Sequence, residues 1–264
     1  MNPLFSNMKI KVTLIQPVIE WENIQSNLEH LDHMLKAILG KTDLILLPEL
    51  FSTGFTMNTS VLSENMEGNT TLWMLKQATF LKAVIAGSII IKENQSLYNR
   101  LIWTYPDGKI QYYDKRHLFR MGRENAYYSP GRKKTVMNIS EWRILPLICY
   151  DLRFPVWSRN TGIYDLLIYI ANWPAGRREV WKTLLRARAI ENQCFVIGVN
   201  RVGMDGNKLE YAGDSMVVDY KGNVIFEMEP HTESQLTCEL DLMELKDFRE
   251  KFPVHLDADE FSLQ

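Results

Sequence analysis

The chain has 264 residues, of which 46% are hydrophobic and 23% are charged, a balance typical of a folded globular protein rather than a disordered one. Its formal net charge of -2 excludes the strong basic field that binding to nucleic acid or to an anionic membrane requires, so we expect neither partner. No apolar run approaches the ~18 residues of a membrane span, and the first residues lack a signal-peptide pattern.

The three cysteines, Cys149, Cys194 and Cys238, are widely spaced and form no CxxC pair. This spacing argues against a disulfide framework or a zinc site and is typical of a reducing compartment. We therefore predict a cytoplasmic protein. No shift in composition marks a boundary, so residues 1–264 are predicted to form a single domain.

Strand and helix patterns alternate along the chain. The first half predicts a strand at 10–16, a helix at 23–39, a strand at 43–48, a helix at 70–82, a strand at 83–91 and a hairpin of strands 97–105 and 109–113. The second half predicts a hairpin of strands 135–139 and 142–148, a strand at 165–171, a helix at 179–191, a strand at 195–200, a hairpin over 215–226 and a terminal helix at 242–251. This alternation predicts an α/β layered fold with a mixed sheet.

Three side chains with useful chemistry follow predicted strands. Cys149 lies at a strand-to-helix turn, where unpaired backbone N–H groups favour an anion and hence a thiolate. The alternative is a buried cysteine that only packs. Glu49 and Lys115 also lie just past strands, and each alone is typical of a solvent-exposed residue. Together, a thiol, a carboxylate and an ammonium could converge at one edge of a sheet, where such folds place their sites.

Two further residues bear on the chemistry. Glu124 lies in the polar loop at 117–132, where solvent exposure is the simplest explanation. A cysteine hydrolase that depends on a histidine also stays open, and His117 is the best placed of the five histidines for that role.

Three segments of the sequence resemble signatures of a known family. LLPELF around Glu49, YDKRHLF around Lys115 and ICYDLRFP around Cys149 resemble, in order and spacing, the three signature segments of the nitrilase superfamily of carbon-nitrogen hydrolases. ANWP at 171–174 and LLRARAIENQ at 184–193 are similar to further family segments. CYDLRFP and ANWP most resemble the omega-amidase branch, which hydrolyses the terminal amide of 2-oxoglutaramate and related monoamides of dicarboxylic acids.

The resemblance implies a triad of Glu49, Lys115 and Cys149, with Glu124 helping to position the lysine and the substrate. It also implies a four-layer α-β-β-α sandwich with mixed sheets, which pairs into an eight-layered homodimer. The substrate would be a small-molecule amide, and no metal or organic cofactor is expected.

The triad suits amide hydrolysis because an ordinary thiol, with a pKa of about 8.5, is mostly protonated at neutral pH and needs activation. We expect Glu49 to take the thiol proton, with the Lys115 cation stabilising the thiolate. Lys115 and the Tyr150 backbone N–H would then stabilise the oxyanion of the tetrahedral intermediate. Loss of ammonia leaves a thioester that a Glu49-activated water hydrolyses.

The substrate-binding residues follow less directly from the sequence. A substrate carboxylate should meet an arginine or a lysine, and four arginines lie near the signature segments: Arg116, Arg153, Arg177 and Arg178. Arg177 is predicted to bind substrate, but which of the four meets the carboxylate stays open, and any of them could instead form a surface salt bridge. Aromatic residues near the signature segments are predicted to form a pocket wall, although core packing explains them equally well. These aromatic residues are Phe51, Tyr127 and Trp173.

Other functions remain open from the sequence. The same chemistry would serve a nitrilase or an N-carbamoyl amide hydrolase. A catalytically silent scaffold that keeps the fold is the alternative from another class. Its expected mark is the loss of a triad residue, and none is lost here.

Overall fold

The computed structural model describes residues 8–262, which form two large β-sheets with helices on their outer faces. The strands, in chain order, are β1 (Lys9–Gln16), β2 (Leu44–Leu46), β3 (Val84–Glu93), β4 (Ser96–Thr104), β5 (Ile110–Asp114), β6 (Met137–Ile139), β7 (Trp142–Ile148), β8 (Leu166–Ala171), β9 (Phe195–Asn200), β10 (Val202–Met204), β11 (Glu210–Ala212), β12 (Met216–Val218), β13 (Val224–Glu227) and β14 (Ser234–Asp241). The α-helices are α1 (Ile24–Lys36), α2 (Thr59–Leu62), α3 (Asn69–Leu81), α4 (Pro155–Ser158), α5 (Arg178–Asn192) and α6 (Leu242–Lys251). Within residues 8–262, none of these helices has both the length and the apolar character needed to cross a membrane.

The two sheets share one plan. The first has the order β14-β1-β2-β3-β4-β5, and the second has the order β13-β12-β9-β8-β7-β6. In each sheet three neighbouring strands run parallel, β1 to β3 in one and β7 to β9 in the other, and antiparallel strands flank them. Parallel neighbours bring the carboxyl ends of successive strands to the same edge, which is where α/β sheets place their sites.

The apolar faces of the elements explain how the layers pack. Leu28, Leu31 and Leu35 are buried at helical spacing along α1, against the first sheet. On the second sheet α5 packs so closely that a side chain at Gly198 would collide with Leu185 and Trp181. A single apolar cluster joins residues of both sheets between them. The result is the predicted α-β-β-α sandwich with mixed sheets, which is confirmed.

The structure adds elements that the sequence did not predict. The strand β14 pairs antiparallel with β1 and completes the first sheet. The short hairpin of β10 and β11 lies outside both large sheets. The polar segment at 117–132 contains two 3-10 turns, Arg120–Gly122 and Glu124–Ala126, and the second begins at one of the predicted site residues.

Candidate active site

Four predicted site residues meet where strands of the two sheets end. Glu49 follows β2, Lys115 follows β5 directly, and Cys149 follows β7 directly. Glu124 opens the second 3-10 turn. Glu49, Lys115 and Glu124 are at most 1% exposed, whereas Cys149 keeps 9% exposure and is the least enclosed residue of the four.

Lys115 lies between two carboxylates. Its Nζ donates to Glu49 Oε1 at 2.8 Å and to Glu124 Oε2 at 2.9 Å. Each carboxylate also accepts a hydrogen bond from a backbone N–H group. Asn172 donates to Glu49 Oε2 at 2.8 Å, and Phe119 donates to Glu124 Oε2 at 2.6 Å. The lysine is therefore the cation of the group, and among residues 8–262 no cluster of three His, Cys, Asp or Glu side chains is arranged to hold a metal ion.

Two asparagines that the sequence analysis did not assign also contact this group. Asn99 on β4 is fully buried, and its Nδ2 donates to Glu49 Oε1 at 2.8 Å and to Glu124 Oε1 at 3.2 Å. The carbonyl oxygen of Asn172 accepts a hydrogen bond from Cys149 Sγ at 3.9 Å. Asn99 could have been found as a polar residue within an apolar strand pattern. Asn172 lies in the ANWP segment, which resembles a family segment but gave no role for the asparagine.

The ionisation of the group differs from the sequence expectation. Burial raises the pKa of the Cys149 thiol well above its ordinary value, and the Glu49 carboxylate adds to the rise, which Lys115 only partly opposes. The raised pKa favours a neutral thiol over the expected thiolate at Cys149, which opens a short 3-10 turn. Burial disfavours the Lys115 cation, yet the Glu124 and Glu49 carboxylates keep the pKa of the lysine well above its usual range.

Asp151 holds the turn that carries the sulfur. Cys149 has a φ of 44°, in the left-handed region that residues with a Cβ rarely adopt. The Asp151 carboxylate accepts from the Ile148 N–H at 3.1 Å and from the Tyr113 hydroxyl at 2.8 Å. His117 Nδ1 also lies 2.7 Å from this carboxylate, so the histidine is engaged with Asp151 and supports the turn instead of serving the thiol.

The sulfur and Lys115 face a cavity of about 550 Å³. Aromatic side chains form much of its wall, and the β10 and β11 hairpin contributes Tyr211, whose hydroxyl donates to Asp205 at 3.1 Å. Two arginines also line the cavity. The guanidinium of Arg153 lies 5.4 Å from the ring of Trp173, and that of Arg177 lies 5.2 Å from the ring of Phe119. Neither arginine takes part in an ion pair with the described residues.

Three of the residues predicted to bind substrate line this cavity, namely Tyr150, Trp173 and Arg177. Phe51 does not, because it is fully buried in the apolar layer beneath α3, with its ring centroid 5.9 Å from that of Trp73. Tyr127 does not either, because it lies on the outside and is 38% exposed. Of the three aromatic residues predicted to form a pocket wall, the structure therefore places only Trp173 at this cavity.

The alternative arginines are mostly used elsewhere. Arg116 donates to the Gly131 carbonyl at 3.2 Å. Arg178 forms an ion pair with Asp214 at 2.6 Å. Only Arg153 and Arg177 of the four therefore face the cavity.

A sequence model of the carbon-nitrogen hydrolase family matches residues 11–250. The chain belongs to the carbon-nitrogen hydrolase family. This hydrolase is 45% identical over 254 residues to omega-amidase YafV of Escherichia coli (strain K12), covering 96% of the chain and 98% of that protein. It is 33% identical over 252 residues to 2-oxoglutaramate amidase of Bacillus subtilis (strain 168), covering 94% of the chain and 96% of that protein.

Solved structures agree with this assignment. The crystal structure of a carbon-nitrogen hydrolase superfamily protein from Xanthomonas campestris, with an arsenic adduct in its active site, matches with a TM-score of 0.94 and 43% identity. The match covers 97% of this hydrolase and 99% of that chain. Nit3 of Saccharomyces cerevisiae, a nitrilase superfamily member, matches with a TM-score of 0.83 and 26% identity over 94% of this chain and 95% of its own. The predicted relationship to the nitrilase superfamily is confirmed.

Proposed function

We propose that this carbon-nitrogen hydrolase is an omega-amidase that hydrolyses the terminal amide of small monoamides of dicarboxylic acids, of the 2-oxoglutaramate and 2-oxosuccinamate type. The observation that carries the proposal is one cavity lined by a thiol, by the ammonium of a buried carboxylate–ammonium pair and by two arginines that have no acidic partner within residues 8–262. The similarity to proteins named omega-amidase and 2-oxoglutaramate amidase over nearly the whole chain supports it.

The reaction begins with a neutral thiol, because burial keeps the pKa of Cys149 high. Glu49 takes the proton as Sγ attacks the amide carbonyl, so that the sulfur becomes charged only as it forms the new bond. Lys115 and the Tyr150 backbone N–H donate to the oxyanion, and one such donor contributes roughly 3 kcal/mol to stabilising the transition state.

The second half of the reaction uses the same carboxylate. Glu49 returns the proton to the amide nitrogen, the C–N bond breaks, ammonia leaves, and the acyl group stays on the sulfur as a thioester. Glu49 then deprotonates a water molecule that attacks this thioester, and the proton passes to the departing sulfur. Glu124 holds Lys115 in place through both halves.

Substrate recognition divides between charge and apolar contact. We assign the substrate carboxylate to Arg177, with Arg153 as its neighbour in the cavity, because a guanidinium binds a carboxylate with two parallel hydrogen bonds. Tyr150 and Trp173 enclose the carbon chain. Arg177→Met should raise KM by about 10-fold or more while kcat changes little, since a contact of this kind is made equally in ground and transition states.

The test is ammonia release by the purified protein from a panel of omega-amides, nitriles and N-carbamoyl compounds. We expect 2-oxoglutaramate to be among the best substrates and Cys149→Ala to lose activity while its melting temperature is kept. Turnover of nitriles, or carbon dioxide released beside ammonia, would favour a nitrilase or an N-carbamoyl amide hydrolase instead. Full activity of the alanine variant would contradict the cysteine mechanism.

A silent scaffold is tested by alkylation. Iodoacetamide should modify Cys149 in the cavity faster than Cys194 and Cys238, which are buried within the apolar core. Equal, slow modification of all three cysteines, without amide turnover, would favour the scaffold.

The wider organisation is also part of the proposal. An apolar cluster shared by both sheets supports a single domain. Exposed apolar side chains beyond α6, including Phe252 and Leu256, support a homodimer that covers them. Free cysteines throughout support a cytoplasmic location. Light scattering of the purified protein tests the dimer, and cell fractionation tests the location.

A further inference from the structure

Asn99 contacts every charged member of the buried group. It lies within β4, opposite Ile90 of β3, and is 0% exposed. Its side-chain Nδ2 bridges Glu49 Oε1 at 2.8 Å and Glu124 Oε1 at 3.2 Å, and its backbone oxygen accepts from the Lys115 N–H at 3.0 Å. A strand that is paired on both sides, with β3 and β5, thus fixes both carboxylates and the start of the lysine segment.

The group that Asn99 contacts carries an excess of negative charge. One ammonium, that of Lys115, serves the two carboxylates. The other titratable groups near it are the Cys149 thiol and the hydroxyls of Tyr128 and Tyr211, whose pKa values are raised, so all three are neutral at neutral pH. Burial raises the pKa of Glu124; Lys115 opposes the rise only in part, and the neighbouring Glu49 carboxylate adds to it. A carboxylate of this group therefore tends to take up a proton, and a protonated carboxyl cannot act as a base.

The side-chain amide of Asn99 opposes that protonation without adding charge. Hydrogen bonds donated to a carboxylate favour its ionised form, and Asn99 donates to both. These two contacts fix the orientation of the amide, because only its nitrogen can donate to two acceptors. Its Oδ1 has no hydrogen-bond partner within residues 8–262. A buried amide oxygen left unpaired is unfavourable, and proteins keep such groups chiefly where another role requires them.

We propose that Asn99 is a positioning residue that holds the Glu49 carboxylate in place and favours the ionised form of Glu124 on either side of Lys115. The inference rests on the proposed amidase reaction, in which Glu49 must accept the thiol proton. A further cation at this position would bind the carboxylates more strongly and weaken Glu49 as a base. A neutral donor holds the geometry and leaves the base available.

Two variants of nearly equal size test the role of charge. In Asn99→Leu the carboxylates lose a shared donor, so kcat/KM should fall about 100-fold at neutral pH and its acidic limb should move to higher pH. In Asn99→Asp a third carboxylate faces the one lysine. Activity should then be retained only at pH values at which the added carboxyl is protonated. The pH profile therefore gains a second limb, along which kcat/KM falls as pH rises. The two substitutions therefore move opposite sides of the pH profile.

A matched control separates this role from folding. Thr104 is a fully buried residue of the same strand, and its hydroxyl donates to the Ile85 carbonyl at 3.1 Å, away from the carboxylates. Thr104→Val should change the melting temperature without moving either limb of the profile. If Asn99→Leu only lowers the amplitude of the profile, as a purely structural residue would, the proposal is overturned.

A second readout does not depend on the substrate. The rate of Cys149 alkylation by iodoacetamide, followed by intact-protein mass spectrometry across pH, reports deprotonation of the thiol with Glu49 as base. The pH dependence of this rate should shift in Asn99→Leu in the same direction as the pH dependence of kcat/KM. If the wild type cleaves no amide but the alkylation profile still shifts, the proposed function fails and the role of Asn99 stands. Identical alkylation profiles in wild type and Asn99→Leu refute that role.

Discussion

The two ends of the parallel strands β7 and β8 both carry buried charge, but they use it differently. At the carboxyl end, Cys149 and Asn172 adjoin the group formed by Glu49, Lys115 and Glu124. At the amino end, Asp165 accepts from Arg143 at 2.8 Å and from Arg249 on α6 at 2.7 Å. The first group has more carboxylates than cations, and the second has more cations than carboxylates.

This difference in balance separates a reactive end from a structural one. Burial opposes ionisation of Asp165, yet Arg143 and Arg249 hold its pKa below the ordinary value. At the other end the pKa values of Glu124 and Cys149 are both raised by burial. Charges at the amino end are thus favoured by their neighbours, whereas at the carboxyl end burial favours the neutral forms of Glu124 and Cys149. Such groups exchange protons readily, as acid-base chemistry requires.

Removal of the cation from the reactive end should have the largest effect. Lys115→Met leaves two buried carboxylates without a counter-ion, so we expect the free energy of unfolding to fall by about 3 kcal/mol. Amide hydrolysis should fall at least about 10²-fold because an oxyanion donor is lost as well. Urea unfolding and ammonia release measure the two effects. A stable and active variant would contradict the assigned role of the lysine.

Removal of one carboxylate should affect activity alone. Glu49→Gln should reduce kcat by about 10³-fold, since the general base is lost. The free energy of unfolding should not fall, because the substitution relieves a buried excess of negative charge. Steady-state kinetics and urea unfolding of one preparation test both statements. Loss of stability with normal kcat would reverse the comparison between the two ends.

The corresponding change at the structural end should do the reverse. Asp165→Asn should lower the free energy of unfolding by about 2 kcal/mol, less than a fully buried pair because the Arg143 side chain is 43% exposed. The kcat of the folded enzyme should stay unchanged. A large drop in kcat would show that the two ends are coupled through β7 and β8.

The smallest expected effect is a difference in how stability depends on pH. Below about pH 4 the unfolded chain binds the proton that folded Asp165 resists, so stability falls as pH falls through this window. The contribution of Glu124 to stability changes with pH in the opposite direction. Between the ordinary glutamate value of about 4.3 and its raised folded pKa, the native chain binds the extra proton and stability falls as pH rises. Unfolding curves of Asp165→Asn and Glu124→Gln across pH should each lack one of these slopes.

Most of the fold followed from local patterns, because strongly apolar strands and regularly spaced leucines need little tertiary context. The strand β14 was missed because its sequence, SQLTCELD, places only Leu236, Cys238 and Leu240 among polar residues. Its conformation depends on pairing with β1, which lies more than 200 residues away in the sequence. The hairpin of β10 and β11 was missed because its strands are too short to show a period.

The site could be predicted only as far as its reactive groups. Glu49, Lys115 and Cys149 were identified from recognisable segments, and the structure brings their side chains together. Phe51 and Trp173 are both buried aromatics near such segments, and sequence cannot tell which of the two faces a cavity. The ionisation of Cys149 could not be predicted from the sequence either, because its high pKa comes mainly from burial, which local sequence does not reveal.

The pairing of β1 with β14 has a consequence for synthesis on the ribosome. Lys9 lies opposite Asp241, so the first strand made waits for one of the last before the sheet that carries Glu49 and Lys115 is complete. Contacts between such distant parts of a chain form slowly. We therefore expect nascent chains to stay incompletely folded until translation is nearly finished, and to need protection from aggregation for that interval.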